Sequence, residues 1–301
     1  MAIVARATED RASLAIAMTL GAYLLFAFID TSVKWLLLTG LPALQLAFMR
    51  YLPHFVISTV LVLRQGGGWS AFGTADPALV LLRGFLLASA TLFNFITLNY
   101  LSLTVTGSIM FSAPIIVCAL SWPLLGERVG PWRWGAIVLG FVGVLVIIRP
   151  FSAEFHWIAL LNVYNAVALA LYSIITRKIA GRVAAETMQF YMGLMGTVAL
   201  LPFALSVWVM PSGALEWALM LLLGVWGWAG HEVFSRAHSY APASTLMPYT
   251  YTFLIYLTFA SFLLFDDIPD AWTVTGAAII VISGLIIWKR ATRPVPPARP
   301  A

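Results

Sequence analysis

Charged residues are scarce in this sequence. Of its 301 residues, Lys and Arg contribute 17 and Asp and Glu contribute 12, so only 10% are charged, whereas 61% are hydrophobic. Soluble domains typically carry about 25% charged residues. A chain with so little charge has too few polar side chains to cover an ordinary water-exposed surface. The composition therefore excludes a soluble domain and predicts a protein embedded in a lipid bilayer.

Cysteine and the common catalytic motifs are also lacking. The single cysteine, Cys118, excludes a disulfide within the chain and suggests no thiolate metal site. The sequence has no G-x-x-x-x-G-K-[ST] loop and no G-x-S-x-G, and the zinc motif that His231-Glu232 would begin fails at Ser235. Its basic residues form no stripe, so no nucleic-acid partner is expected. We expect no cofactor and no metal. A membrane-embedded enzyme without a recognised motif is kept as the alternative function.

Long apolar runs are what the sequence does contain. A helix needs about 20 residues to cross a hydrocarbon core about 30 Å thick. Ten runs approach this length, and the segments between them are too short to fold as separate domains. We therefore predict ten membrane-spanning helices. The runs are 14–38, 43–63, 79–99, 103–125, 131–149, 157–176, 187–208, 215–235, 244–265 and 272–288.

The distribution of Lys and Arg predicts the orientation of these runs. If residues 1–13 lie in the cytoplasm, Arg149 is the one basic loop residue on the opposite side. Cytoplasmic loops carry such an excess of Lys and Arg in most membrane proteins. We therefore expect a multi-pass protein of the bacterial inner (plasma) membrane, with cytoplasmic tails at 1–13 and 291–301 and no cleavable leader.

The two halves of the chain repeat each other weakly. Each half, 14–150 and 151–290, would hold five spans, and an odd number inverts the second copy. Inverted repeats are typical of secondary transporters, whose site lies between the halves near the middle of the membrane. An offset of 140 aligns Tyr100, Phe111 and Glu127 with Tyr240, Tyr251 and Asp267, and an offset of 141 aligns Gly135 and Gly143 with Gly276 and Gly284.

Three stretches resemble the EamA-type family of the drug/metabolite transporter superfamily, and together they cover nearly the whole chain. The first is D-T-S-V-K-W-L at 30–36, followed by Phe48-Met49-Arg50. The second runs from Asn99 to Ser112-Ala113-Pro114 and on to L-L-G-E at 124–127. The third is the glycine-rich fifth run, G-A-I-V-L-G-F-V-G-V, which ends at Arg149-Pro150.

This resemblance implies an all-α integral membrane fold of ten transmembrane helices, arranged as two inverted five-helix repeats around a central cavity. It implies a secondary transporter that works by alternating access. The cargo would be a small polar or amphipathic metabolite, amino-acid-like, vitamin-like or nucleoside-like. The expected partners are this small-molecule substrate and the lipid bilayer, and both a monomer and a homodimer remain open. A channel is disfavoured, because it would need a symmetric ring of filter residues.

The second half departs from the family pattern at two places. Asp266-Asp267 stands where Gly-Glu is usual, and Gly193 occupies the position that would correspond to Arg50. The two halves have therefore diverged, and we expect an asymmetric substrate site.

Ionisable residues inside the apolar runs are the first candidates for that site, because a charge in the bilayer costs roughly 2.5–3.5 kcal/mol on insertion scales. Asp30 and Lys34 are four apart and are expected to form a local ion pair. Arg50 and His54 are likewise four apart on the next run, within reach of Asp30. In the functional interpretation Arg50 holds a carboxylate of the substrate, Lys34 assists, and Asp30 modulates them or takes a proton. In the structural alternative these charges neutralise one another and lock two helices together.

Amides, aromatic residues and prolines complete the candidates for substrate binding or gating. Amides can bind a substrate or cross-link helices, and Trp228 can stack on a planar ligand or simply pack. Prolines inside apolar runs remove backbone hydrogen bonds and can serve as hinges. Near the end of the eighth run, Glu232 is expected to pair with Arg236. The binding candidates are Asn94, Asn162, Asn165, Trp228 and Tyr251, and the hinge candidates are Pro53, Pro114 and Pro248.

Overall fold

A computed structural model describes residues 12–64, 72–126, 130–152, 155–179, 182–241, 246 and 249–291. These residues form eleven α-helices and no β-strand. The helices are α1 (Ala12–Leu38), α2 (Ala43–Arg64), α3 (Pro77–Leu98), α4 (Leu103–Met110), α5 (Ala113–Leu125), α6 (Pro131–Ile148), α7 (Ala159–Ile179), α8 (Ala185–Ser206), α9 (Ala214–Tyr240), α10 (Thr252–Phe265) and α11 (Ala271–Ala291).

Each predicted run contains a helix, with three differences in extent. The fourth run is broken at residues 111–112 into α4 and α5. Pro114 lies in the first turn of α5 and has no N–H for the carbonyl of Met110, which explains why the helix does not continue. Helix α9 extends five residues beyond the predicted end of the eighth run. In the ninth run the described helix α10 begins at Thr252, and Pro248 lies outside the described residues.

Seven of the described helical segments are long and apolar enough to cross a membrane, and shorter apolar helices accompany them. The seven segments come from α1, α2, α3, the joined α4–α5, α7, α8 and α11, and the shorter ones are 134–148 and 252–265. Helix α9 has 27 residues but is not among the seven. It carries two glutamates and two histidines, and these lower its hydropathy. Its polar residues therefore need a protein environment.

Small residues bring the helices together, as expected where lipid offers no hydrophobic driving force for association. Helix α2 packs on α8, α1 on α9, α3 on α7 and α8, α2 on α9, and α6 on α11. On α8, a Cβ at Gly193 would lie 2.8 Å from the Cα of Phe55, and Gly196 lies against the ring of Tyr51. These glycines let the large side chains of α2 reach the centre of the bundle.

Helices α6 and α11 approach each other most closely at two glycines. A Cβ on Gly143 would lie 2.9 Å from the carbonyl oxygen of Gly276, and a Cβ on Gly276 would lie 2.7 Å from that of Gly143. The Ser283 hydroxyl donates to the Ala136 carbonyl at 2.6 Å, and at the other end of the contact Arg149 pairs with Asp270. The two helices are therefore antiparallel, with backbones in contact and polar groups paired.

Candidate functional site

Arg50 lies at the contact between α2 and α9 and is 5% exposed. Its Nη2 is 3.3 Å from Nε2 of His231 on α9, and its guanidinium lies 4.6 Å from the centroid of the Tyr51 ring. The backbone of α9 passes close by at Gly227, where a Cβ would lie 3.5 Å from the Arg50 Cζ. The second amino group, Nη1, is buried and has no hydrogen-bond partner among the described residues. The guanidinium therefore has a donor available.

His54 lies one helical turn from Arg50 and is fully buried. Neither of its ring nitrogens makes a hydrogen bond to a described residue, although Gln189 of α8 lies beside it. The ring of His231 is 6.4 Å away, centroid to centroid. One turn further along α2, the hydroxyl of Ser58 is also buried without a partner. Arg50, His54 and Ser58 thus form a polar stripe along one face of α2.

Asp30 of α1 is buried and accepts a hydrogen bond from Nδ2 of Asn94 on α3 at 3.1 Å. The Oδ1 of Asn94 is itself buried without a partner. Asp30 lies near enough to Arg50 for their charges to interact, but no ion pair within 4 Å joins them in the described part of the chain. The structure thus places Asp30, Asn94, Arg50 and His54 in one buried region, and the position of Asn94 there was not expected from the sequence.

The expected ion pair between Asp30 and Lys34 is wrong. Lys34 instead donates from Nζ to the carbonyls of Leu98 and Leu101, at 2.9 Å each. These carbonyls lie at the C-terminal end of α3, where a helix leaves acceptors unsatisfied and favours a cation. Lys34 therefore ties α1 to the corner between α3 and α4.

Arg83 is a buried cation that the sequence analysis did not identify as a site residue. Its Nε donates to Thr176 at 2.7 Å, Nη1 to the Met188 carbonyl at 3.2 Å, and Nη2 to the Tyr172 hydroxyl. The guanidinium also lies 4.3 Å from the centroid of the Tyr172 ring. Each of its three nitrogens is engaged, so Arg83 joins α3, α7 and α8. Its charge nevertheless adds to that of Arg50, and the buried region holds excess positive charge even with Asp30 ionised.

Asn162 and Asn165 of α7 connect helices. Asn162 donates to the Thr106 carbonyl on α4 at 3.0 Å. The Asn165 amide lies 2.9 Å from the Asn162 side chain and within 3.0 Å of the Ala90 carbonyl on α3. Both side chains are fully buried. The geometry matches the cross-linking alternative for this pair.

The remaining candidates lie at helix contacts. Trp228 is half-buried on α9, and Tyr251 lies before α10 with its ring centroid 5.1 Å from that of Phe111. Helix α2 continues through Pro53, whose ring packs against Gly224 of α9. Hinge roles for Pro53 and Pro114 stay predictions, as does that of Pro248 outside the described residues.

A line of polar groups leads from His54 toward the end of α9. Gln189 Nε2 donates to Glu232 Oε2 at 3.5 Å, and Glu232 Oε1 accepts from Arg236 at 2.7 Å. The predicted pair of Glu232 and Arg236 is thus confirmed. The sequence pattern does not indicate Gln189 or the role of His231. In the sequence, His231 belongs only to a failed zinc motif, because its contact with Arg50 lies 181 positions away.

A helical membrane protein that buries a charged, incompletely paired cluster between its helices has the features of a transporter. The comparison with known families agrees, because residues 13–149 and 156–289 each match the EamA-like transporter family. The chain belongs to this family. It is a multi-pass membrane protein and a transporter rather than an enzyme.

Relatives with known roles are similar over most of the chain. The S-adenosylmethionine uptake transporter of Rickettsia prowazekii is 28% identical over 83% of this chain and 84% of its own. The riboflavin transporter of Vibrio cholerae is 31% identical over 62% of each chain. The pseudopaline exporter CntI of Pseudomonas aeruginosa is 26% identical over 81% of this chain and 85% of its own. A solved crystal structure, 18% identical, superposes with a TM-score of 0.63 over 95% of this chain and 100% of that one.

Proposed function

We propose that this protein is a secondary transporter of the bacterial plasma membrane that carries a small metabolite with a carboxylate group, held by Arg50. The observation that carries the proposal is the buried Arg50 guanidinium, whose Nη1 has no partner among the described residues. A charged donor left unpaired in a low-dielectric region is costly, and a carboxylate is the ligand that best matches the planar guanidinium. The cost is offset when the substrate binds.

Alternating access between two inverted halves would expose this site to each side in turn. Helices α1, α2, α3 and α6 of the first half correspond in order to α7, α8, α9 and α11 of the second. If each helix is replaced by its counterpart in the other half, the observed contacts should be reproduced. The contact of α1 with α9 becomes the observed contact of α7 with α3, and that of α2 with α9 becomes the observed contact of α8 with α3. The contacts of α2 with α8 and of α6 with α11 are each unchanged by this replacement. Together with two separate family matches, this pattern supports an inverted repeat.

The charges favour an amino-acid-like substrate over a neutral vitamin. Arg50 offers a donor for a carboxylate, and Asp30, with the free Oδ1 of Asn94, offers acceptors for an ammonium group. Among the substrates named for the relatives, S-adenosylmethionine carries such an amino-acid group and riboflavin carries no carboxylate. We therefore place an α-amino acid or an amino-acid-bearing metabolite ahead of riboflavin.

Counterflow in proteoliposomes tests the proposal. Purified protein would be reconstituted, and exchange of labelled S-adenosylmethionine, L-glutamate, L-glutamine, L-methionine, uridine and riboflavin would be compared with protein-free vesicles. We expect exchange of an amino-acid-bearing compound, and a loss of at least about tenfold in Arg50→Ala, since truncating one partner of a buried charge pair costs about 2–5 kcal/mol. The matched control is Arg182→Ala, which removes the same charge from an exposed position away from the site.

Two results would overturn the proposal. Wild-type protein that exchanges none of the four amino-acid-bearing compounds would contradict transport of this substrate class. Equal exchange by wild type and Arg50→Ala, at equal amounts of folded protein, would remove Arg50 from the site. Thermal unfolding of both variants in detergent would show whether a loss of exchange reflects a loss of fold.

A further inference from the structure

His54 has no part in holding a carboxylate on Arg50, yet its position is unusual. The side chain is fully buried, and its ring nitrogens make no hydrogen bond of good geometry to a described residue, although Gln189 of α8 lies beside the ring through both its backbone and its amide. A neutral imidazole presents one donor and one acceptor, and both are costly to bury without strong partners. A buried imidazole in this state is a candidate for binding a proton or a ligand.

The groups that face His54 come from several helices. Helix α2 contributes Arg50 and the unpaired hydroxyl of Ser58, and α9 contributes His231. Helix α3 contributes the charge of Arg83, and α8 contributes the amide of Gln189. Helix α1 brings Asp30 to the Arg50 end of the cluster. His54 thus lies among two permanent cations and a second imidazole.

A line of polar side chains runs from this cluster toward one end of the molecule. Gln189, which lies beside His54, donates from Nε2 to Glu232 at 3.5 Å. The Glu232 side chain is 25% exposed and pairs with Arg236, which is 66% exposed. The bias of Lys and Arg assigns this end of α9 to the cytoplasm. Glu232 is therefore an ionisable group in contact with water at the end of the polar line that begins at His54.

We propose that His54 carries a proton across the membrane together with the acidic group of the substrate, so that the protein is a proton symporter. This assignment rests on the proposed function. A carboxylate bound to Nη1 of Arg50 lies within reach of His54, since side chains four apart on a helix are neighbours. A third positive charge beside Arg50 and Arg83 is repelled, and the carboxylate offsets that repulsion. Proton and substrate therefore favour each other's binding, and the coupling is reciprocal.

The proton balance is simple. One proton enters His54 from water on one side, stays while the carboxylate is bound, and leaves to water on the other side when the carboxylate dissociates. Asp30 is the competing proton carrier, because it is buried and accepts a single hydrogen bond, from Asn94. The test must separate these two residues.

The experiment uses the reconstituted protein and the amino-acid-bearing compound of the panel that wild type exchanges fastest. Two modes are measured with the membrane potential clamped: counterflow without a gradient, and accumulation driven by a pH gradient with the vesicle interior alkaline. We expect wild type to accumulate the compound at least about fivefold, with proton influx reported by a trapped pH dye, and nigericin to abolish both effects. His54→Gln should lose accumulation and proton influx while keeping counterflow at saturating substrate within about threefold. His238→Gln, on the exposed end of α9, is the matched control and should behave as wild type.

Each contrary result has a distinct meaning. Wild-type counterflow that is unaffected by the pH gradient and moves no protons overturns the symport while leaving the proposed function standing. Accumulation that survives His54→Gln and is lost in Asp30→Asn overturns the assignment to His54. Absence of wild-type counterflow overturns the proposed function, and the symport with it. If His54→Gln does not fold, the dye and nigericin measurements on wild type still decide whether protons move, and His54→Asn decides the residue.

Discussion

Two helix contacts in this molecule both depend on closely packed glycines but differ in how completely their polar groups are paired. At the contact of α6 with α11, Gly143 and Gly276 bring the backbones together, Ser283 donates to a carbonyl, and Arg149 is paired with Asp270. At the contact of α2 with α9, the ring of Pro53 packs directly against Gly224, and the approach is similarly close. One turn along α9, however, this second contact holds the partly unpaired Arg50.

Under the proposed function, the first contact serves stability and the second serves transport. Helices in lipid associate through close packing and interhelical hydrogen bonds, and the contact of α6 with α11 uses both. The contact of α2 with α9 gives up some of this stability, because Arg50 and His54 keep polar atoms without protein partners. Buried polar groups that a fold leaves unpaired are candidates for binding a ligand, whereas paired groups such as Ser283 are explained by the fold alone.

The largest effect is expected from filling the contact of α6 with α11. In Gly143→Ala the new methyl would lie 2.9 Å from the Gly276 carbonyl oxygen, so the two backbones must separate. We expect a loss of about 1–3 kcal/mol in the free energy of unfolding, as for other overpacked cores. Thermal or denaturant unfolding in detergent measures it. Substrate affinity of the folded fraction should not change.

Gly135→Ala is the matched control on the same helix. A Cβ there meets nothing within 4 Å. This substitution should be neutral or should stabilise by up to about 1 kcal/mol through helix propensity alone. Equal unfolding free energies for Gly143→Ala and Gly135→Ala would show that the backbones are not in contact at this crossing, and would remove the basis of the comparison.

An intermediate effect is expected from filling the space beside Arg50. In Gly227→Ala the methyl would lie 3.6 Å from Nη1, an ordinary contact that the fold tolerates but that obstructs an approaching carboxylate. We expect unchanged stability and a roughly fivefold weaker apparent affinity in counterflow, equivalent to about 1 kcal/mol.

Gly224→Ala, three residues earlier, should behave in the opposite way. Its methyl would lie 2.7 Å from the Pro53 ring, so the helices must separate and the unfolding free energy should fall, with little specific effect on affinity. If Gly227→Ala lowers stability and Gly224→Ala lowers affinity, the assignment of the site to the Arg50 face of α9 is incorrect.

The sequence predicts the positions of the helices and of the ionisable residues within them, because these depend on local residue pattern. Apolar runs placed the helices, and charges inside the runs selected Asp30, Arg50 and His54, which the structure brings into one region with Asn94. Pro114 interrupts the fourth run at the point where α4 ends. These features depend on the residue itself and on its near neighbours.

The parts that the sequence does not predict depend on which helix faces meet. Lys34 has a local partner in Asp30, but the carbonyls at the end of α3 bind it instead, and nothing in the sequence of α1 indicates this. Arg50 and Arg83 look alike as single cations near the ends of apolar runs. Only their neighbours distinguish a guanidinium whose three nitrogens are all engaged from one with a nitrogen left free. The role of His231 depends on its contact with Arg50 of α2, a helix that is distant in sequence.

The smallest effect is expected at the Arg149–Asp270 pair, which is partly exposed. Partial burial raises the pKa of Asp270, but the hydrogen bonds with Thr273 and the charge of Arg149 outweigh this effect. The pKa of Asp270 is therefore lowered from its ordinary value of 3.8. A carboxyl with a lowered pKa stabilises the fold above its ordinary pKa and loses that contribution as the pH falls through the folded value. Wild type should therefore lose stability more steeply than Asp270→Asn between about pH 5 and pH 3.

Two substitutions separate the charge of Asp270 from its capping role, because its Oδ1 also accepts from the backbone N–H of Thr273 at 2.8 Å, at the start of α11. Asparagine caps a helix as well as aspartate does, so Asp270→Asn removes only the ion pair and should cost less than about 1 kcal/mol at pH 7. Asp270→Ala removes the cap as well and should cost about 1 kcal/mol more. Melting temperatures of the three proteins across this pH range decide the point. If the asparagine variant keeps the acid sensitivity of wild type, another carboxylate is responsible, and the contact between α6 and α11 is held by its glycines and not by the charges at its Arg149 end.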